Sequence, residues 1–586
     1  MKPGSVKPAL GMRARLRSLR PWQRLVALGL FAFLLRLAYL LEVKDADFFA
    51  VLVGDGAAYD AAAQNIQTDW IGKEVFYQAP LYPYFLAVIY TLFGHSLWAV
   101  RIIQIGLGAG ACVLLASAGG AFFSEAAALM AGFLLAAYGP ALYFDGLIQK
   151  ACLDVFFMTA LLWSLGRLTL DPRRRWPLLA GCVLGCLALT RENALVLLPI
   201  VLIWLGWRWW HARQSVPARQ AVPFFLLGVA LILAPVAVRN YALGGELFLT
   251  TSQFGANFFI GNNADADGTY EPLRWGHGSF PLERQDAIEI AEKAAGKKLT
   301  PAEISHYWTA RAGSWIRAHP GRWLKLLGRK WSLVWNAREI PDSDEPLVYR
   351  DASLILTVCT ALFSFGTIAP LALAGAVATW SERKRLWILH LTVVGIAAAT
   401  ALFYVFARYR YPIVPVLILF AAAGVMAIVE RIRRRRPLPL LAYGLLVGCA
   451  ALAVRWNPPS AGDPRAMALY NLGVSLEQRG ETDRAMANYR GALAANPSFV
   501  QAHVNLGALL AAGGQLDEGI AHERAALRLR PDDSMAHANL ANALFEQGRL
   551  DEAEQHYRAA LRAEPDLAMA QQGLSALLEE RKKRAP

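Results

Sequence analysis

Apolar residues run along this chain in blocks of about 17 to 25, separated by short polar or basic stretches. A block of that length crosses roughly 30 Å of hydrocarbon as a helix. Blocks of this kind lie near 25–41, 97–118, 126–144, 152–168, 176–189, 194–209, 223–238, 353–380, 386–406, 413–429 and 438–454. The pattern therefore predicts an all-α, polytopic membrane helix bundle of about eleven spans. After residue 456 the pattern changes to short amphipathic segments.

The basic residues between blocks orient the bundle. Clusters at 13–24, 171–175, 208–219, 381–385 and 431–436 mark the cytoplasmic side. The apolar stretch 80–93 holds two prolines and is too short to cross. Treated as an interfacial helix, it leaves every basic cluster inside. The expected organisation is a cytoplasmic basic N-terminus over 1–24, a membrane domain over 25–456, and an exported C-terminal part over 463–586. The loops 42–96 and 239–352 then face the periplasm of a bacterial inner membrane. The first block lacks a small-x-small site and is followed by further spans, so it is expected to be an anchor, not a cleaved signal.

Composition agrees with a membrane protein: 56% of the 586 residues are hydrophobic and 18% charged. The net charge of +14 sits largely in the basic caps, so it does not imply a nucleic-acid partner. All six cysteines fall in or beside apolar blocks, which leaves the exported parts without a disulfide framework.

The C-terminal part repeats. Asn471, Asn505 and Asn539 are spaced by 34 residues, as are Pro497, Pro531 and Pro565. Turn glycines Gly480, Gly514 and Gly548 and small residues Ala485, Gly519 and Ala553 keep the same period. That is the tetratricopeptide pattern, a two-helix unit stacked into an α-solenoid, with 570–581 as a closing helix. Asn471, Asn505 and Asn539 are the expected partner-binding positions. A purely solubilising or self-associating array is the plainer reading.

Chemistry is expected at the ends of the spans. Asp55 follows the first crossing in VGDGAAYDAAAQNI, with Tyr59 one helical turn on. Gly54–Asp55 also reads as an ordinary helix start. Arg101 sits just inside the next span, where a charge is costly unless paired or facing a polar cavity.

Several stretches resemble the GT-C superfamily of polyprenyl-phosphate-sugar glycosyltransferases, on the protein O-mannosyltransferase and aminoarabinose-transferase side. They are GDGAAYDAAAQNI, APLYPYFLAVIYTLFG, AVRIIQ, GCLALTRENALVLLP, VRNYALGGELFLTTSQFGANFFIGNN and RYRYPIVPVLILFAA. The resemblance implies an inverting enzyme that moves one sugar from a polyprenyl phosphate to a hydroxyl acceptor. Asp55 would be the general base, since a hydroxyl is too weak an acid to ionise alone. Arg101, Lys150, Arg191, Arg239, Arg408 and Arg410 are the expected donor-phosphate ligands. Tyr59, Tyr82 and Asn262 are the expected substrate contacts. Lipid snorkelling is the plainer role for any one of these cations.

The chain departs from the superfamily in its first loop, where Gly56 follows Asp55 in place of a second acid. No HExxH or comparable ligand spacing occurs, and His277, His306 and His319 are scattered. The enzyme is accordingly expected to need no metal and no cofactor, the lipid-linked sugar being a co-substrate. Expected partners are that donor, membrane lipids, and an acceptor protein or glycan docked on the repeats. A ligase drawing whole glycans from a lipid diphosphate fits the same residues, and a non-catalytic scaffold is the other alternative. A bare scaffold would not need the acid and cations, and a carrier would place charges at span centres.

Overall fold

The structure, a computed structural model, describes residues 20–211, 216–274, 280–342, 344–435, 437–456, 463 and 465–584. Most of the basic N-terminus and His277 lie outside these residues. Two compact units divide the chain: one holds Met1–Lys44, Asp55–Asp342 and Tyr349–Asn457, the other Asp45–Gly54, Ser343–Val348 and Pro458–Pro586. Among the described residues there are helices and no strands.

In the first unit, among the described residues, nine helices are long and apolar enough to cross a membrane, from Pro21–Val43 to Pro437–Val454. A tenth arises if Glu125–Ala137 and Gly139–Gly146, bent by 53°, form one span. The bend falls where Pro140 cannot continue the hydrogen-bond ladder. The eleventh expected crossing corresponds to Arg175–Thr190, only 16 residues and shorter than the nine. The expected count of eleven thus becomes nine or ten by length. The stretch after Pro80 forms the 13-residue helix Leu81–Phe93, also below spanning length.

Small residues let these helices approach. A Cβ on Gly181 would lie 2.0 Å from the Phe225 carbonyl oxygen, and one on Gly228 would lie 2.2 Å from that of Leu178. Two backbones therefore touch where Arg175–Thr190 crosses Val216–Gly244. Alanine at either glycine forces the pair apart. Deep in the bundle Arg36 donates to Asp145 at 2.7 Å and to the Ala32 and Ala136 carbonyls. Both side chains are almost fully buried, so the pair satisfies two charges that would be prohibitive singly.

The loop between Val216–Gly244 and the later spans is itself helical, with Phe254–Gly261, Phe280–Ala295, Pro301–Ala318 and Pro320–Val334. Thr300 caps Pro301–Ala318 through a reciprocal box with Glu303. Trp308 packs against Ala256 and Ala287, and its indole donates to the Ala287 carbonyl at 2.9 Å.

The second unit is a stack of helix pairs: Arg465–Gln478 with Thr482–Ala495, Val500–Ala512 with Leu516–Leu529, and Ser534–Glu546 with Leu550–Ala563. Ala568–Arg584 closes it. Gly480, Gly514 and Gly548 adopt φ of 78°, 80° and 76°, which is why glycine recurs at each turn. The segment Asp45–Gly54 belongs to this unit. Phe48, Val51 and Val53 pack with Leu472, Leu476 and Tyr489, while Asp47 pairs with Arg484 at 2.6 Å.

Candidate active site

Asp55 stands in the first turn of Gly54–Thr68, where the helix dipole favours a carboxylate. Gly54, with φ of 51°, supplies the left-handed residue that starts the helix. The Asp55 side chain is 17% exposed and meets Arg408, Nη1 to Oδ2, at 2.5 Å. Arg408 reaches Asp342 with its other terminal nitrogen at 2.7 Å. Burial opposes ionisation of Asp55, but the Arg408 guanidinium outweighs it and holds the carboxyl below the ordinary range. Tyr59 donates weakly to Asp55 at 3.4 Å, and burial followed by the Asp55 charge keeps its phenol protonated.

Two more cations lie in this neighbourhood, Lys150 in the field of Asp55 and Arg191 in that of Tyr59. Lys150 is buried, contributes to the field at Asp55, and makes no ion pair among the described residues. Arg191 lies 5.0 Å above the Tyr409 ring and donates from Nε to Asp154 at 2.8 Å. Glu192 accepts from Thr251 and Gln253, which ties the chain after Val216–Gly244 to this end of the bundle. The constellation of Asp55, Tyr59, Asp342, Lys150, Arg191 and Arg408 combines an ionised acid with a surplus of buried donors. It can accept a proton and hold an anion.

Other expected ligands are placed elsewhere or have their donors engaged. Arg101 donates to the Gly146 carbonyl at 3.0 Å, beside Tyr82. Tyr82 donates to Gln104 at 2.6 Å and meets the Tyr59 ring edge-on at 5.2 Å. Arg239 donates to the Ile71 carbonyl and lies over Phe76. Arg410 spends its donors on the carbonyls of Val334, Asn336 and Arg338 and on Glu339, stacked over Phe365. Asn262 donates to the Phe258 and Leu402 carbonyls and accepts from Trp323 and Lys330, so it braces the loop. In the repeats, Asn505 donates to the hydroxyls of Tyr470 and Tyr489, and Asn539 is buried; Asn471 is half-buried.

Asp342 was not expected. It comes from the loop PDSDEP, whose clustered acids are the one trace in the sequence that could have pointed to it. Among the described residues no group of three His, Cys, Asp or Glu side chains converges in a way that could hold a metal ion.

Residues 77–238 match the family model described as dolichyl-phosphate-mannose-protein mannosyltransferase. Tetratricopeptide models match 449–498, 470–534 and 534–567. The expected resemblance is therefore borne out over those residues: part of the membrane domain is similar to this glycosyltransferase family, and the C-terminal part to tetratricopeptide repeats. No curated protein matches the chain. Among solved structures, the oligosaccharyltransferase of Archaeoglobus fulgidus is similar, with 17% identity, a TM-score of 0.43, 78% of this chain covered and 58% of that one. The chain thus spans less than two thirds of that protein's length. The Pmt1–Pmt2 protein O-mannosyltransferase of S. cerevisiae, bound to its sugar donor, shows 17% identity and a TM-score of 0.30, with 44% and 39% covered. The repeats are similar to the Sgt2 tetratricopeptide domain of Aspergillus fumigatus, with 23% identity, a TM-score of 0.21, and 22% and 87% covered.

Proposed function

We propose that the chain is an inverting glycosyltransferase that moves a single sugar from a polyprenyl phosphate to a hydroxyl acceptor at the outer face of the membrane. The observation that carries this reading is Lys150, a buried cation that feels the charges of Glu192, Asp154 and Asp55 but makes direct contact with no carboxylate among the described residues. A buried ammonium without a contacting anion is costly, and a phosphate reduces that cost. In the reaction the acceptor oxygen attacks the anomeric carbon and the bond to the phosphate oxygen breaks. The hydroxyl proton passes to Asp55, and the polyprenyl phosphate leaves with the bonding electron pair. Lys150, Arg191 and Arg408 stabilise the charge that grows on the phosphate. One displacement at carbon inverts the centre.

Arg408 has a second task in this scheme. By holding Asp55 through one nitrogen and Asp342 through the other, it fixes the carboxylate's orientation before the acceptor arrives. The match over residues 77–238 supports a lipid-linked sugar donor of the mannosyl type. The test is reconstitution of the full chain in liposomes with a radiolabelled polyprenyl-phosphate hexose, mannose first. Release of polyprenyl phosphate with inverted product supports the reading. Turnover of a lipid diphosphate donor alone would replace it with glycan ligation.

A further inference from the structure

Far along the chain from the acid site, the repeats carry the same histidine pair twice. His503 on Val500–Ala512 meets His522 on Leu516–Leu529, Nδ1 to Nδ1, at 2.9 Å. His537 on Ser534–Glu546 meets His556 on Leu550–Ala563 in the same way, also at 2.9 Å. Ring centroids lie 5.1 Å apart in both pairs. All four residues are half-buried, so water and ions reach them. The first helix pair has Leu469 and Asn488 at these repeat positions, so the pairing of helices does not itself require histidine.

One ring of each pair has its far nitrogen engaged. His503 Nε2 lies 3.1 Å from the Pro497 carbonyl oxygen, and His537 Nε2 lies 3.0 Å from that of Pro531. A carbonyl can only accept, so in the neutral ring Nε2 carries the hydrogen and Nδ1 presents a lone pair. Gln571 stands at the same repeat position in the closing helix and makes the equivalent bond, donating to the Pro565 carbonyl at 2.8 Å. An imidazole whose N–H is fixed by a carbonyl, with the other nitrogen open, is oriented as metal-binding histidines are.

The spacing of the two Nδ1 atoms selects among metals. Two metal–nitrogen bonds of about 2.0–2.1 Å meeting at a right angle leave their nitrogens about 2.9 Å apart, whereas a tetrahedral angle leaves them about 3.3–3.4 Å apart. The right-angle value suits the tetragonal preference of Cu(II), which also has the highest affinity among divalent first-row ions for nitrogen donors. Glu518 and Glu552 recur one helical turn before His522 and His556, but each is paired with arginine and supplies no third ligand.

We propose that each histidine pair binds one divalent transition cation of the Cu(II) class through its two Nδ1 atoms, with water in the remaining positions. In the metal-free chain the short contact is an N–H···N bond donated by His522 or His556. On binding, that proton moves to Nε2 of the same ring, and the freed Nδ1 lone pair takes the metal. The site belongs to the repeats and is independent of the sugar-transfer reaction.

The test titrates Cu(II) into the detergent-purified, metal-stripped full chain, followed by calorimetry and by electron paramagnetic resonance. Wild type should bind one equivalent per pair, with nitrogen couplings from two imidazoles on each ion. His503→Gln keeps the bond to the proline carbonyl, as Gln571 does, and His537→Gln does the same in the next unit. Each should lower the tightly bound copper by half, and the two together should abolish it while the metal-free melting temperature stays unchanged. Should a Gln variant melt early, His522→Asn and His556→Asn, which install the residue of the first unit, carry the same comparison. Copper binding with imidazole couplings that survives in the folded double variant overturns the proposal. So does a wild-type chain that binds no more copper than that variant.

Discussion

Arg408 joins Asp55 to Asp342, with one terminal nitrogen 2.5 Å from the first carboxylate and the other 2.7 Å from the second. A guanidinium presents its donors in a fixed fork, so this arrangement holds both acids at once without rotation. Lysine cannot do the same. The pairing explains how a partly buried Asp55 stays ionised, and in the proposed reaction it makes Arg408 the residue that positions the acid.

Lys150→Gln should weaken donor binding more than it slows the bound complex. A charge-assisted bond is worth about 1.5–3 kcal/mol, so KM for the lipid-linked sugar should rise by about tenfold or more. Initial-rate kinetics over a donor titration in liposomes measure the split. An unchanged KM would remove Lys150 from the phosphate site.

Glu523 gives the repeat array a pH dependence. It occupies the repeat position held by Tyr489 and Tyr557 in the flanking units. Burial pushes its carboxyl from 4.5 up to about 9, despite the nearby Asn539 amide. An acid whose pKa is raised by folding holds its proton more tightly in the folded chain, so stability is full below pH of about 4.5 and falls as pH climbs toward 9. Calorimetry of the full chain should show the repeat transition moving to lower temperature across that window. Glu523→Gln should flatten the dependence.

The segment before the Asp55 helix changes what a truncation can test. Val51 and Val53 pack with Leu472, Leu476 and Tyr489, and Asp47 pairs with Arg484. Removing residues 463–586 would expose this apolar surface directly ahead of Asp55 in the chain. Truncation should therefore reduce turnover of natural and minimal acceptors alike. The cleaner probe of partner docking is Asn471→Ala with Asn505→Ala and Asn539→Ala, read as transfer to the natural acceptor relative to a small mimic. Of the three, Asn505 should carry a folding cost, because it donates to Tyr470 and Tyr489.

Much of this architecture was legible because it follows from local pattern. Apolar blocks of spanning length announced the helices, and the 34-residue period announced the repeats before any contact was known. The span count was not fully legible: Arg175–Thr190 is short, and Pro140 bends another crossing. Asp55, Lys150, Arg191 and Arg408 stand out through the family resemblance taken together with their place at the outer ends of spans. What the sequence could not do was separate Arg408 from Arg410. The two lie two residues apart on Ala407–Arg410, on nearly opposite sides of a helix, so one faces Asp55 and the other is absorbed by carbonyls of residues 334–338. Asp342 stayed hidden for a similar reason. Its role depends on a tertiary contact between distant loops, and no periodicity records such a contact.

The central claim is that Asp55 takes the acceptor's proton, and the amide that most resembles it cannot. A positioned base contributes about 10²–10⁴ in rate. Purified Asp55→Asn, assayed for sugar transfer from a polyprenyl-phosphate donor alongside donor binding, should bind donor but transfer at a rate lower by that factor. Transfer at the wild-type rate by folded Asp55→Asn would contradict the assignment.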